Sequence, residues 1–300
     1  MTPSRRRHAT RLGLVIHPSR DAAVPLAAVN GWAAGRGADV RQVVVRPHEP
    51  RIAEAATPDA VDLIVAIGGD GTVLGALHAA AGGGRPVLGI AWGSLGALAT
   101  VSSDDAAMAL DAFAAGEWEP RTLPALHIEA AGGRSADAIN DVVVVRDGPG
   151  QVAVSLTLDG VLYARFGGDG VIVSSQVGSS AYALAAGGAL LAPGVDGFLT
   201  TPLAPHAGSC PTLLAGAASR LAVSAIPGYG GARIEVDGQR VDLGSLELDA
   251  TLRPDYVTLV GLPGQEPLIT GLRRRGIIAD GPRVLARDAR RAGDATELAS

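Results

Sequence analysis

Residues 62–67, Asp-Leu-Ile-Val-Ala-Ile, form an apolar run that stops abruptly at Gly68-Gly69-Asp70-Gly71-Thr72. An apolar run without polar alternation fits a strand covered on both faces, as in a parallel sheet between helical layers. Residues 72–81 then have the spacing of a helix. The same scheme recurs around this point. Residues 11–17, 40–45 and 86–91 read as strands, residues 21–36 as an Ala-rich helix, and residues 104–115 as a helix begun by Ser102 or Ser103. Such alternation implies a Rossmann-like, doubly wound α/β domain over residues 11–120.

The texture changes after Glu117-Trp118-Glu119-Pro120. Strand-like runs follow at 125–131, 138–145, 153–158, 161–166, 171–174, 220–226, 232–236 and 241–248. Asp147-Gly148-Pro149-Gly150, Asp159-Gly160 and Asp237-Gly238 sit between them at hairpin spacing. The expectation is an all-β sandwich domain over 121–268 with one helical insert at 179–186. A C-terminal tail, 269–300, is expected to return to the N-terminal domain. Residues 1–10 carry Arg5, Arg6 and Arg7 without an apolar segment and cleavage site behind them, and read as a disordered basic leader.

Composition narrows the chemistry. The single cysteine, Cys210, excludes an intramolecular disulfide and a Cys-rich zinc site, and points to a reducing, cytoplasmic setting. No apolar run is long enough to suggest a membrane span. A formal net charge of −5 argues against nucleic acid as a partner. All 25 basic residues are arginine. Without lysine, neither a Walker-type phosphate loop nor a Schiff base is available. Phosphate charge has to be met by backbone N–H groups, arginine or a metal ion.

The glycine turn follows a buried strand and precedes a helix, the edge at which open α/β sheets bind ligands. Its glycines let backbone N–H groups approach a phosphate, and the helix N-terminus favours negative charge. An acid there is repulsive to phosphate, so Asp70 makes sense as a metal ligand or as a base accepting a hydroxyl proton. The plainer alternative is a helix-capping Asp, but capping needs one polar residue and not three glycines. Gly93-Ser94-Leu95-Gly96, after the next strand, could form a second wall of the cleft or be an ordinary turn. Asn140-Asp141 interrupts an apolar strand and must be hydrogen-bonded or face a ligand, unless it marks a strand edge or bulge. The segment 169–182 is the densest polar stretch, with an acid, a strand, a Gly/Ser turn and hydroxyls opening a helix. His78 reads as a helix-surface residue and His206 as a structural one. No His–Cys, His–Glu–His or Ser–His–Asp spacing suggests a permanent metal site or a hydrolase triad.

Three segments together resemble the NAD kinase family: AIGGDGT (66–72), INDVVVVR (139–146) and GDGVIVSSQVGSSAYALAAGG (168–188), the last continuing to TPLAPH (201–206). The resemblance spans roughly residues 11–275. GGDGT alone is shared with lipid kinases and phosphofructokinases, whereas the third segment is far more specific. The resemblance implies phosphorylation of the 2′-hydroxyl of the adenosine ribose of NAD, with ATP or polyphosphate as donor and Mg²⁺ or another divalent cation. Asp70 would activate the hydroxyl or help hold the metal, and Gly68, Gly69, Gly71 and Thr72 would line the donor phosphates. Asn140 and Asp141 would contact the ribose and phosphate region of NAD, Asp169 with Gly170 the nicotinamide amide, and Ser180, Ala181 and Tyr182 the adenine half. It also implies a homodimer or homotetramer in which a neighbouring subunit completes the NAD site.

This chain departs from the family pattern in two places. Asn140-Asp141 stands where Asn-Glu is usual, and Ser175-Gln176-Val177 stands where Thr-Pro-Thr is usual. Two other readings share some of these features. A lipid or diacylglycerol-type kinase would need an acyl-chain cavity, and a non-catalytic NAD(P) sensor would not need Asp70.

Overall fold

The computed structural model describes residues 10–18, 22–46, 49–206 and 209–288. The basic leader, apart from Thr10, and the end of the tail lie outside the described residues. The N-terminal elements are β1 (Arg11–Ile16), α1 (Ala23–Arg36), β2 (Asp39–Gln42), β3 (Leu63–Gly68), α2 (Asp70–Ala81), β4 (Val87–Ala91), β5 (Val101–Ser102) and α3 (Ala106–Ala115). Strands β4, β3, β1 and β2 pair in that order, all parallel. Every residue of β3 and β4 is buried, as the unbroken apolar runs require. Val73, Leu74 and Leu77 of α2 pack on one face of the sheet, and Val29, Trp32 and Leu110 of α1 and α3 on the other.

The remaining strands are β6 (Glu119–Ala130), β7 (Ser135–Ala138), β8 (Asp141–Arg146), β9 (Val152–Leu158), β10 (Val161–Gly168) and β11 (Gly170–Ser175). After the single turn α4 (Tyr182–Ala185) come β12 (Gly197–Leu203), β13 (Leu213–Gly216), β14 (Leu221–Pro227), β15 (Ala232–Val236), β16 (Gln239–Val241) and β17 (Glu247–Gly261), then α5 (Leu268–Arg274). Six strands form a second sheet in the order β13-β12-β11-β8-β15-β16. Its Val142, Val144, Val171, Val173, Phe198 and Ile234 face Leu126, Ile128, Val154, Leu156, Val223 and Leu248 across a sandwich core.

The strands of the α/β region and of one sandwich sheet form a single 11-stranded sheet. Strand β17 makes the join. Its first half pairs antiparallel with β14, and near its end Leu259 lies parallel to Val87 of β4, while β6 runs beside it throughout. The expected insert at 179–186 is shorter than a full helix. Residues Gly178–Ser180 form a 3₁₀ turn, Ala181 breaks it at φ −102°, ψ −121°, and α4 holds only four residues.

Candidate active site

The C-terminal ends of β3, β4 and β17 meet at one edge of the large sheet, the side on which open α/β sheets bind ligands. Helix α2 begins there at Asp70, two residues earlier than the sequence spacing suggests. Gly69 is extended and its carbonyl accepts the N–H groups of Thr72 and Val73 at 2.9 and 3.2 Å. The Asp70 carboxylate turns across to the loop after β4. Its Oδ2 accepts the N–H of Ala97 and its Oδ1 those of Leu98 and Ala99, each at 2.9 Å. A Cβ at Gly96 would overlap this carboxylate, so the close approach depends on glycine. The Gly93–Gly96 turn is thus part of the same cleft.

Arginines surround this edge. Arg46 donates to the Gly71 carbonyl at 2.8 Å. Arg275 lies 4.0 Å from Asp70 Oδ2, and Arg274 donates to the Leu95 carbonyl at 3.2 Å. Burial depresses the Arg121 guanidinium, with the Asp70 charge acting in the opposite direction. None of these four arginines was visible as a site residue in the sequence. Their one signal was the absence of lysine, which left arginine as the side-chain cation. Thr72 is only 2% exposed, and its hydroxyl packs against Gly68 rather than opening to the cleft.

Asn140 lies in the break between β7 and β8, and Asp141 is the first residue of β8, so the pair does not sit in the middle of one strand. The break is held by the β11–α4 turn. Ser175 donates from its N–H to the Asn140 carbonyl at 2.8 Å and from its hydroxyl to the Ile139 carbonyl at 2.5 Å. Gly178 sits against Asn140 so closely that a Cβ would overlap its carbonyl and Cα. Both obstacles are backbone, so Gly178→Ala should cost at least about 1–3 kcal/mol and displace the turn carrying Ser180. A thermal melt and an NAD titration check this; a parental melting temperature with parental affinity would refute it. Ser180 donates to the Val177 carbonyl at 3.2 Å, Ala181 links the two short turns, and Tyr182 is exposed. Val177, in place of the usual hydroxyl, packs with Val73, Leu77 and Ile139, which seats this turn on α2.

Apart from the turn around Asp70, the candidate residues fall into two groups. Asn140, Asp141 and Ser180–Tyr182 gather at one end of β11. Asp169 and Gly170 are at its other end, where Asp169 accepts from Arg146 Nε at 2.6 Å and Gly170 pairs with Val145 and Leu203. The five steps from Gly170 to Ser175 along β11 separate the groups by roughly 17 Å at about 3.3 Å each. His206 lies at this far end beside Gln151. His78 is not a bare helix-surface residue, since its Nε2 is 2.5 Å from Asp237 Oδ2. Asp141 is 5% exposed, and its carboxyl is pushed up to about 7 by burial first, then by the charges of Asp237 and Glu235.

Among the described residues no group of three or more His, Cys, Asp or Glu side chains is placed to hold a metal ion. The lone carboxylate of Asp70 nonetheless suits a cation that arrives on a nucleotide. Mg²⁺ binds through one or two carboxylates and substrate phosphates, and Asp70 Oδ2 accepts only one backbone bond. No helix among the described residues is long and apolar enough to cross a membrane.

A parallel-sheet edge with an acid set among glycines, ringed by arginines and joined to a β-sandwich, defines a phosphate-handling nucleotide protein. The sequence models of the ATP-NAD kinase N-terminal and C-terminal domains match residues 35–118 and 139–247. The first match contains the segment 66–72, and the second contains 139–146 and 168–188 with 201–206. An NAD kinase of Nitratidesulfovibrio vulgaris is 33% identical over 255 residues, covering 83% of this chain and 82% of that protein. The NAD kinase of Symbiobacterium thermophilum is 37% identical over 184 residues, covering 59% of this chain and slightly under two thirds, 65%, of that protein. The chain belongs to the NAD kinase family.

Two solved structures agree. An NAD kinase from Archaeoglobus fulgidus in complex with ATP superposes with a TM-score of 0.67 at 25% identity, covering 84% of this chain and 93% of that one. Yeast NADH kinase complexed with NADH superposes with a TM-score of 0.74 at 20% identity, covering 91% and 89%, and speaks for the fold.

Proposed function

We propose that this protein transfers the terminal phosphoryl group of ATP to the 2′-hydroxyl of the adenosine ribose of NAD, giving NADP and ADP. The observation that carries the reading is Asp70, fixed at the sheet edge by the N–H groups of Ala97, Leu98 and Ala99. Asp70 takes the proton of the 2′-hydroxyl as that oxygen bonds to phosphorus and the bond to the departing ADP oxygen breaks. Gly68, Gly69 and Gly71 offer backbone to the donor phosphates. Arg46, Arg121 and Arg275 supply the positive charge that lysine gives elsewhere. A divalent cation such as Mg²⁺, carried by the nucleotide and within reach of Asp70, neutralises phosphate charge when bound.

Asn140 and Asp141 hold the ribose and phosphate region of NAD, and Ser180, Ala181 and Tyr182 its adenine half. Asp169 and Gly170, at the far end of β11, serve the nicotinamide of a neighbouring copy in a homodimer or homotetramer. The tail from residue 269 returns to the N-terminal layer, a reading supported by the contacts of Arg274 and Arg275. A cytoplasmic setting belongs to the same proposal.

The test is NADP formation by the purified protein with NAD, Mg²⁺ and either ATP or polyphosphate, coupled to an NADP-specific dehydrogenase. NADP with ATP supports the reading, and the polyphosphate arm decides whether a second donor serves. No NADP with either donor overturns it.

A further inference from the structure

One carboxylate ties the two halves of the candidate site together. Asp237 opens the β15–β16 turn with φ 49°, and its side chain is 4% exposed. Its Oδ1 accepts the N–H groups of Asn140 and Asp141 at 2.7 and 3.0 Å, and its Oδ2 that of Ile139 at 2.8 Å. The same Oδ2 meets His78 Nε2 at 2.5 Å. His78 lies two turns along α2 from Asp70. Asp237 therefore touches the helix that begins with the proposed base, and the break that carries Asn140 and Asp141.

Turn chemistry alone does not account for this arrangement. A hairpin Asp needs only its own positive φ, and the three backbone donors leave one acceptor site of the carboxylate, on Oδ2, which a side chain from another element fills. A second buried acid next to Asp141 is repulsive, and that repulsion helps push the Asp141 carboxyl upward. Placing a His donor from another element on the same oxygen adds a polar link between α2 and the 139–141 segment, which also meet through apolar packing of Val73, Leu77, Ile139 and Val177. Apolar packing is non-directional, whereas a short hydrogen bond to a charged acceptor fixes direction and distance.

We propose that the His78–Asp237 pair is a positioning device that fixes the distance between Asp70 and the Asn140-Asp141 turn. The phosphoryl acceptor held at that turn is thereby set against the base. The inference rests on the kinase reading for its effect on turnover, but not for its effect on local structure. Neither residue touches the reacting atoms, so the device acts through α2 and the 139–141 segment.

The test compares His78→Leu, which removes the donor, with His78→Gln, whose side-chain amide can donate from nearly the place of Nε2. Each variant is measured for kcat and KM and for hydrogen exchange of the Ile139–Asp141 amides, beside a thermal melt. His78→Leu is expected to lower kcat about ten- to a hundredfold through misplacement, with KM for ATP within about threefold. It should also speed exchange at Ile139–Asp141, while β11 amides stay protected. His78→Gln should restore most of both. Parental kcat and exchange in His78→Leu would overturn the proposal. So would a Gln variant no better than Leu at equal melting temperature. If the parent makes no NADP the kinase reading falls, and the exchange comparison alone decides the device by the same criterion.

Discussion

Asp70→Asn is expected to lower the rate of NADP formation by about 10²–10⁴-fold, the range for loss of a general base. A base does not act alone here, because the same carboxylate is the anchor of the loop after β4. Asn can keep the two bonds from Leu98 and Ala99, but its amide nitrogen then faces the Ala97 N–H, donor against donor. That mismatch should cost about 1–3 kcal/mol, visible as a lower melting temperature. Gly96→Ala separates position from chemistry. It keeps the acid but fills the space the carboxylate occupies and so displaces it, and turnover should fall about a hundredfold, as for a reacting group misplaced by an ångström. The measurement is kcat at saturating NAD and ATP. An Asp70→Asn variant that keeps more than about a tenth of the parental rate would sink the base assignment.

Local chemistry made part of this site legible. The run at 62–67 ending in glycines places a buried strand, a turn and a helix within a dozen residues, and no distant partner is needed to see it. Asn140-Asp141 stood out because two polar residues broke an apolar run. The donors that hold Asp70 had no such mark, since Ala97, Leu98 and Ala99 act through backbone N–H groups that any sequence carries. Asp237 looked like a turn residue because it is one, and its further bonds come from residues about 100 and 160 positions away. Strand β12 was hidden by Thr200-Thr201-Pro202, as proline demotes a run. It is tolerated because β13 pairs only with residues 197–200, so Pro202 lies beyond the reach of that neighbour. The join between the layers was hidden as well. Residues 248–252 alternate, exposed Arg253-Pro254-Asp255 then interrupts the run, and Val257, Leu259 and Val260 are buried beyond it, so one strand that serves both the sandwich and the parallel sheet reads as two fragments.

The second large effect is at Asp141, where stability and function should move in opposite directions. Its carboxyl is pushed up to about 7 from 3.8, by burial and by the nearby charges of Asp237 and Glu235. Between about pH 4 and pH 7 the folded protein holds a proton that the unfolded chain has released. Stability from this group therefore falls as pH rises through that window, and the penalty is complete above about pH 7. Asp141→Asn removes the titration while keeping the shape. The variant should exceed the parent in stability at pH 8, by about 4 kcal/mol at most, and lose that advantage by about pH 4. NAD affinity should drop about tenfold, on the scale of one hydrogen bond to a charged group. Melts at pH 4 and pH 8, with calorimetric NAD binding at pH 8, read both. A residue kept for packing would lose stability on substitution and leave binding alone. A gain in stability with a loss of binding marks an acid held against its own electrostatics for the ligand. Equal advantage at both pH values would refute the raised carboxyl, and unchanged affinity would remove Asp141 from the site.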